Sequence, residues 1–244
     1  MTLATALSRA QFGLDAPLVR VEVHCGAGLP QFSIVGLAET TVRESRERVR
    51  AALAHCGCEF PPGRVTVNLA PADLPKEGGR FDLAVALGIL AASRQLAAES
   101  LEGTEFYGEL SLSGELRAVC GVLAAAVHAV QDDRRLVVPA ANADEARVAR
   151  GARVAGGSTL MSVCDGLRGG AGLDFRTGGE LPACQAAVPD LADVRGQAAA
   201  KRALEIAAAG GHSLLGSVTS SPSYDSVIYA HKIARLLVCA FLDS

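Results

Sequence analysis

"RVTVNLAPADLPKEGGRFDLAVALGIL", residues 64–90, holds two periodicities back to back. Val65, Val67 and Leu69 alternate with Thr66 and Asn68, the two-residue repeat of a strand, and Pro71 ends the run. From Arg80 onward the texture changes to Ala, Val, Leu and Ile with no charge after Asp82, which predicts a helix buried on most sides. "DLPKEGG" between them is a loop. A strand, a glycine-containing loop and a helix in that order form a plausible site. Gly78 and Gly79 are read as letting the backbone turn tightly, and Asp82 as capping the helix.

The flanking segments carry the same two textures. "PLVRVEVHCGAGLPQFSIVGL" (17–37) alternates at Val19, Val21 and Val23, breaks at 26–30 and resumes at Phe32 and Ile34, which predicts a hairpin. In "AETTVRESRERVRAALAHCG" (38–57) Thr41 and Glu44 have capping-box spacing, Val42, Val49 and Leu53 share one face, and Gly57 stops the turn. Arg43, Arg46, Arg48 and Arg50 interleave with Glu44 and Glu47, the pattern of a solvated helix face. Downstream, "FYGELSLSGELR" predicts a hairpin turning at Ser113–Gly114, and "CGVLAAAVHAVQDD" an alanine-rich helix. "RLVVPAANADEARVAR" and "ARVAGGSTLMSVCDGL" each predict a strand followed by a helix. Residues 1–168 therefore read as one α/β domain.

Residues 169–189 mix glycine, proline and charge without a period, the composition of a linker. A helix is predicted from Gln197, with Ala200, Leu204 and Ala207 on one side and Gly210–Gly211 closing it. From Ser217 a polar stretch precedes Ile228, Ile233, Leu236, Leu237 and Phe241 at helical intervals.

Composition limits the function classes. Half of the 244 residues are hydrophobic but only 4% are aromatic, so the core is built from Ala, Val and Leu. Net charge is −3 and there are three lysines, Lys76, Lys201 and Lys232. No global basic field steers the chain to nucleic acid or membrane, so any DNA contact is local. Seven cysteines without a cleavable apolar leader imply a reducing cytoplasm. No cysteine pair has zinc-site spacing, which predicts no metal and leaves the small thiols as core filling. No run of 18 apolar residues is present, so no membrane span is predicted.

Four phrases carry a family resemblance. "GLAETTVRESRERVRAAL", "VNLAPADLPKEGGRFDLAVALGIL" and "YGELSLSGELRAVCGVL" resemble the N-terminal domain of the Mg-chelatase-related AAA+ proteins of ComM/YifB type. "DVRGQAAAKRALEIAAAGGHSLL" resembles the opening of the ATPase module that follows it. The resemblance implies an α/β (α+β) fold: a Lon-protease-like domain of mixed sheet and helices at 1–168, then a truncated AAA+ fragment at 190–216. It also implies a cytoplasmic, hexameric, ATP- and Mg-dependent motor driving DNA branch migration in natural transformation and recombination. Partners would be DNA or intact family subunits.

Two absences qualify what the resemblance implies. Lon-type peptidases activate a serine with a lysine, since an unassisted hydroxyl is a poor nucleophile at neutral pH. In the similar Lon phrase the serine follows "PKDGP"; here "PKEGG" is followed by Arg80, and no serine lies from Pro71 to Ala92. The lysine should fall near Ala125, yet residues 77–200 contain none. The peptidase site reads as a shell with no catalytic residue. A P-loop needs G-x-x-x-x-G-K-[ST] to cradle phosphates and hold magnesium, and no lysine here follows a glycine. Val194, Gly196 and Gln197 match the "V-x-G-Q" phrase near the adenine in such modules. They are the expected remnant of a nucleotide site, and neither ATP nor Mg is expected to bind tightly. Residues 217–244 read as a non-family tail, with an ordinary amphipathic helix packing on the stub as the alternative.

Overall fold

The computed structural model describes residues 2–36, 40–74, 76, 78–170, 172–179 and 195–210. The chain divides into two compact units, Met1–Glu180 and Leu181–Ser244.

The first unit is built on an eight-stranded mixed sheet. In chain order its elements are β1 (Thr2–Arg9), β2 (Leu18–Gly26), β3 (Gln31–Val35), α1 (Thr40–His55), β4 (Arg64–Ala70) and α2 (Asp82–Ala92). Then follow β5 (Thr104–Phe106), β6 (Glu109–Leu110), β7 (Leu116–Arg117), α3 (Val122–Gln131), β8 (Arg135–Pro139), α4 (Ala143–Arg147), β9 (Arg153–Gly157), α5 (Leu160–Leu167) and β10 (Arg176–Thr177). The strand order is β10-β9-β8-β5-β1-β2-β4-β3, and β6-β7 form a separate ribbon. The α/β class and the mixed sheet agree with the sequence.

The helices cover the two faces unequally. Val19, Val21, Val23, Val65, Val67 and Leu69 point to a core shared with α1, α2 and α5. All residues of α2 are buried. Its small side chains let it lie close on the sheet: a Cβ on Gly88 would sit 2.6 Å from Val23 Cγ2. On the other face, Val122, Ala125, Ala126 and Ala129 of α3 and Ala143 and Ala146 of α4 pack with Leu136, Val138 and Val154. β8 is therefore buried on both faces, which explains its uninterrupted apolar run.

The hairpin predicted over 17–37 does not form. β2 pairs antiparallel with β1, from Thr2↔Cys25 to Arg9↔Leu18. β4 then inserts between β2 and β3, antiparallel to the first and parallel to the second. β3, α1 and β4 thus make a βαβ unit, with α1 as the crossover. Alternation looks alike in either pairing, so local pattern could not separate them. β1 went unread because Thr2–Arg9 lacks the valine-rich texture of β2. The ribbon predicted at Ser113–Gly114 forms, with Leu110↔Leu116 paired and Gly114 at φ +82°. The sheet also continues past Leu167, since β10 adds to β9 within the stretch assigned to a linker.

In the second unit the predicted helix is present as α6 (Ala198–Gly210). The cap assigned to Thr41 and the tail at 217–244 lie outside the described residues.

Candidate functional site

The loop from β4 to α2 is anchored by its own lysine. Lys76 is fully buried, and its ammonium donates to the carbonyls of Pro71 and, at 2.8 Å, Leu74. Burial pulls its pKa down, against the opposing charge of Asp73. Gly78 takes φ +72°, and a Cβ on Gly79 would lie 2.5 Å from Glu109 Oε2, so these glycines do serve a tight turn and a close approach. Gly108 then clamps the loop: its amide donates to Arg80 O at 3.1 Å and its carbonyl accepts from Leu83 N at 3.1 Å.

Arg80 emerges half-buried from that clamp. Its Nη2 donates to Gln11 Oε1 at 3.0 Å. Together with Gln11, Phe12 and Gly13 it lines a surface cavity of about 410 Å³. Gln11 Oε1 also lies 2.5 Å from where a Cβ on Gly121 would be, and Gly121 O accepts from Ala125 N at 3.3 Å. Gln11 thus lies beside Arg80, where the resemblance puts a hydroxyl, and beside Gly121, one helical turn before Ala125, near which it puts an amine. Positions 80 and 125 carry a guanidinium and a buried methyl group, and neither can serve as nucleophile or base.

Asp82 does not cap α2. The residue preceding the helix is Phe81, without a side-chain cap, and the Asp82 carboxylate faces the interior. It accepts from Ser45 Oγ, from Arg48 Nε at 2.7 Å and Nη2 at 3.2 Å, and from Leu110 N at 3.2 Å. Burial pushes its pKa up, against the lowering effect of Arg48 and Ser45. Arg48 is therefore no solvated helix residue: it ties α1 to α2. Arg50 stacks on Phe60 with its guanidinium carbon 5.3 Å from the ring centre, and Arg46 donates to Phe32 O at 3.4 Å.

A second buried joint escaped the sequence. Arg9 donates to both oxygens of fully buried Glu105, at 2.8 and 2.7 Å, and to Asp132 at 2.5 Å. Tyr107 OH and Arg134 Nη1 also reach Glu105, at 3.2 and 3.3 Å. Burial would lower the Arg9 pKa, but its pairing with Glu105 and Asp132 more than offsets this and raises it. No periodic pattern marked it: β1 buries Ala4, Ala6 and Ser8 in alternation and Arg9 falls outside that series, while all three residues of β5 are buried. Both joints are enclosed, so they brace the fold.

In the second unit Gly196 and Gln197 precede α6 with φ +69° and +53°. Gln197 O accepts from Lys201 N at 3.0 Å, opening the helix. Val194, the third member of the predicted set, lies outside the described residues. Among the described residues no group of three or more His, Cys, Asp or Glu could hold a metal ion, and no helix is long and apolar enough to cross a membrane.

Residues 21–142 match the family model described as subunit ChlI of Mg-chelatase, and residues 190–239 match magnesium chelatase, subunit ChlI. The chain belongs to the Mg-chelatase-related family of ComM/YifB type. It is 45% identical over 243 residues to the competence protein ComM of Haemophilus influenzae, covering 97% of this chain and 47% of that protein. Identity to the uncharacterized protein YifB of Escherichia coli is 44% over 237 residues, covering 97% and 46% respectively. The uncharacterized protein Rv2897c of Mycobacterium tuberculosis is 42% identical over 240 residues, with 97% and 47% covered. The chain thus spans about half the length of these ComM/YifB-type relatives. The second match also runs through residues 217–239, which the sequence set apart from the family.

Proposed function

We propose that this chain is a non-catalytic module of a ComM/YifB-type DNA-processing machine. Its first unit has the scaffold of a peptidase-like domain and serves as an interaction surface, and its second begins an ATPase module. What supports this reading is the residue type at two positions: Arg80 stands where the resemblance expects a nucleophilic serine, and Ala125 near where it expects the lysine that activates it. The ATPase half lacks a glycine-preceded lysine anywhere in the chain, so the terminal phosphates of ATP have no side chain to grip them. The intact machine is read as an ATP- and Mg-dependent hexamer acting in branch migration during transformation and recombination. This chain's own contribution is binding DNA or other subunits of that machine.

The test is an ATPase assay on the purified chain with magnesium, with and without single-stranded DNA, run beside a fluorogenic peptidase assay. No turnover above a buffer blank is expected in either. ATP hydrolysis that survives further purification would overturn the non-catalytic reading, and so would peptide cleavage.

A further inference from the structure

A cavity of about 290 Å³ opens where the start of β1, the end of β2, the loop after α1 and the C-terminal end of α2 meet. Its walls are braced before any ligand arrives. Gln95 ties the loop to the helix end: its Oε1 accepts from Glu59 N at 2.9 Å, and its Nε2 donates to Glu59 O at 2.7 Å. Arg168 Nη2 in turn donates to Gln95 O at 3.2 Å. Thr2 Oγ1 donates to Ala92 O, joining β1 to the same helix end. The Phe60 ring is held by Phe32, with ring centres 5.3 Å apart, and by the Arg50 guanidinium, 5.3 Å from its centre. A preformed hollow loses little freedom when it binds.

Arg94 is the anomaly in this wall. It follows Ser93, the C-cap of α2, and takes φ +62°, a left-handed position at which helices usually place glycine because a side chain is disfavoured there. No contact explains an arginine at that position: among the described residues its exposed guanidinium has no hydrogen-bond or ion-pair partner. A charged side chain without a structural partner at a strained backbone position points to function. The Glu59 carboxylate, which also lines the cavity, is likewise exposed and unpaired among the described residues. Cys25 is half-buried and burial raises its pKa, so its thiol is neutral and adds to the apolar wall of Phe60, Pro61 and Pro62.

These parts select a ligand class. Opposite charges lining one cavity favour a molecule that carries both, since a lone anion attracted by Arg94 is repelled by Glu59, and a lone cation meets the reverse. The planar guanidinium fork matches the two oxygens of a carboxylate. The apolar wall suits an aliphatic or aromatic side chain. The volume stands near the lower limit of ligand pockets, roughly 300 Å³, which fits one amino acid and is tight for a nucleotide.

We propose that this cavity binds a free α-amino acid with an apolar side chain, its carboxylate on Arg94, its ammonium on Glu59 and its side chain against Phe60 and Pro61. The site goes beyond the reading of the first unit as an interaction module and stands independently of it.

The test is NMR titration of the isotope-labelled full chain, following Arg94 Nε–H and the Gln95 side-chain amide. The probes are L-leucine, glycine, 4-methylpentanoate and 3-methylbutylamine at millimolar concentration, the last two being leucine without its ammonium and without its carboxylate. L-leucine is expected to give saturable shifts at both signals, and each of the other three to bind at least tenfold more weakly. Arg94→Gly suits the left-handed backbone, so it should melt no lower than the wild type while weakening leucine binding at least tenfold at the Gln95 signal. Glu59→Gln leaves both backbone bonds to Gln95 in place. It should weaken leucine binding at least tenfold and let 4-methylpentanoate bind that variant as tightly as leucine does. The proposal is overturned by the absence of saturable shifts with L-leucine, by any of the three controls binding within tenfold of it, or by leucine binding that survives either substitution. A lower melting temperature for Arg94→Gly would give Arg94 a structural role and overturn it too. ATP turnover by the chain would sink the non-catalytic reading while leaving these shifts as they are.

Discussion

Replacing Arg48 by methionine isolates the contribution of the joint between α1 and α2. Methionine keeps the alkyl stem of the arginine and removes its charge. Asp82 then keeps its bonds from Ser45 Oγ and Leu110 N but loses those from Arg48 at 2.7 and 3.2 Å. Its side chain is fully buried, and that of Arg48 is 21% exposed. Removing one partner of an enclosed pair costs about 3–5 kcal/mol, and the exposure of Arg48 puts the loss at the lower end, about 3 kcal/mol at pH 7. With a urea dependence of about 2 kcal/mol/M, the unfolding midpoint followed by circular dichroism should fall by roughly 1.5 M. The pH dependence has a definite sign. Burial already lifts the Asp82 carboxyl above its ordinary 3.8, and losing Arg48 lifts it further. The folded variant therefore takes up a proton before the unfolded chain does, and its stability falls as pH rises through that window. The midpoint gap to the wild type should narrow as pH drops from 7 toward 4. The double variant Arg48→Met/Asp82→Leu, which removes both charges, should lie within about 1 kcal/mol of the wild type. A single-variant loss below about 1 kcal/mol, or a gap that does not change with pH, would refute the assignment of Asp82 as an enclosed, partner-dependent carboxylate.

Gly88→Ala places a methyl group 2.6 Å from Val23 Cγ2 and should cost about 1–3 kcal/mol, read as a lower melting temperature. Adding Val23→Ala should recover part of that loss, and full tolerance of the single change would mean that α2 does not lie so close to β2. Lys76→Met tests the loop anchor. Burial lowers the lysine pKa, so the unfolded chain binds more protons between that value and 10.5, and wild-type stability should rise with pH across this alkaline window. The variant should lose that rise, as measured by urea unfolding at a series of pH values. Arg80→Ser puts a hydroxyl where the resemblance expects a nucleophile but supplies no lysine near Ala125 to activate it, so no peptide cleavage is expected; a fluorogenic substrate assay that shows turnover contradicts this.

Much of the site was open to inspection in the chain itself because it depends on which side chains exist. Arg80 where the resemblance expects a serine, no lysine from 77 to 200 and no lysine after a glycine are read directly from the chain, whatever its conformation. The Arg80–Gln11 pair was hidden, since its members are 69 residues apart and no periodic pattern links them. Asp82 was misassigned for a related reason: a carboxylate at a helix start is a cap by local rules, yet Arg48 and Ser45, brought over by α1, outcompete the helix amides for it.

Residue types and spacing alone determined the α/β class, the buried character of α2, the Ser113–Gly114 ribbon and which side chains stand at position 80 and near 125. These follow from short-range sterics, from burial of apolar periodicity and from residue identity, which no fold alters. Folding in three dimensions decided that β4 separates β2 from β3, that Arg48 and Arg9 hold buried carboxylates, and that Gln11 meets Arg80. Strand alternation is blind to which neighbour a strand takes, and a charge shows its burial only once the partner that neutralises it has been brought alongside.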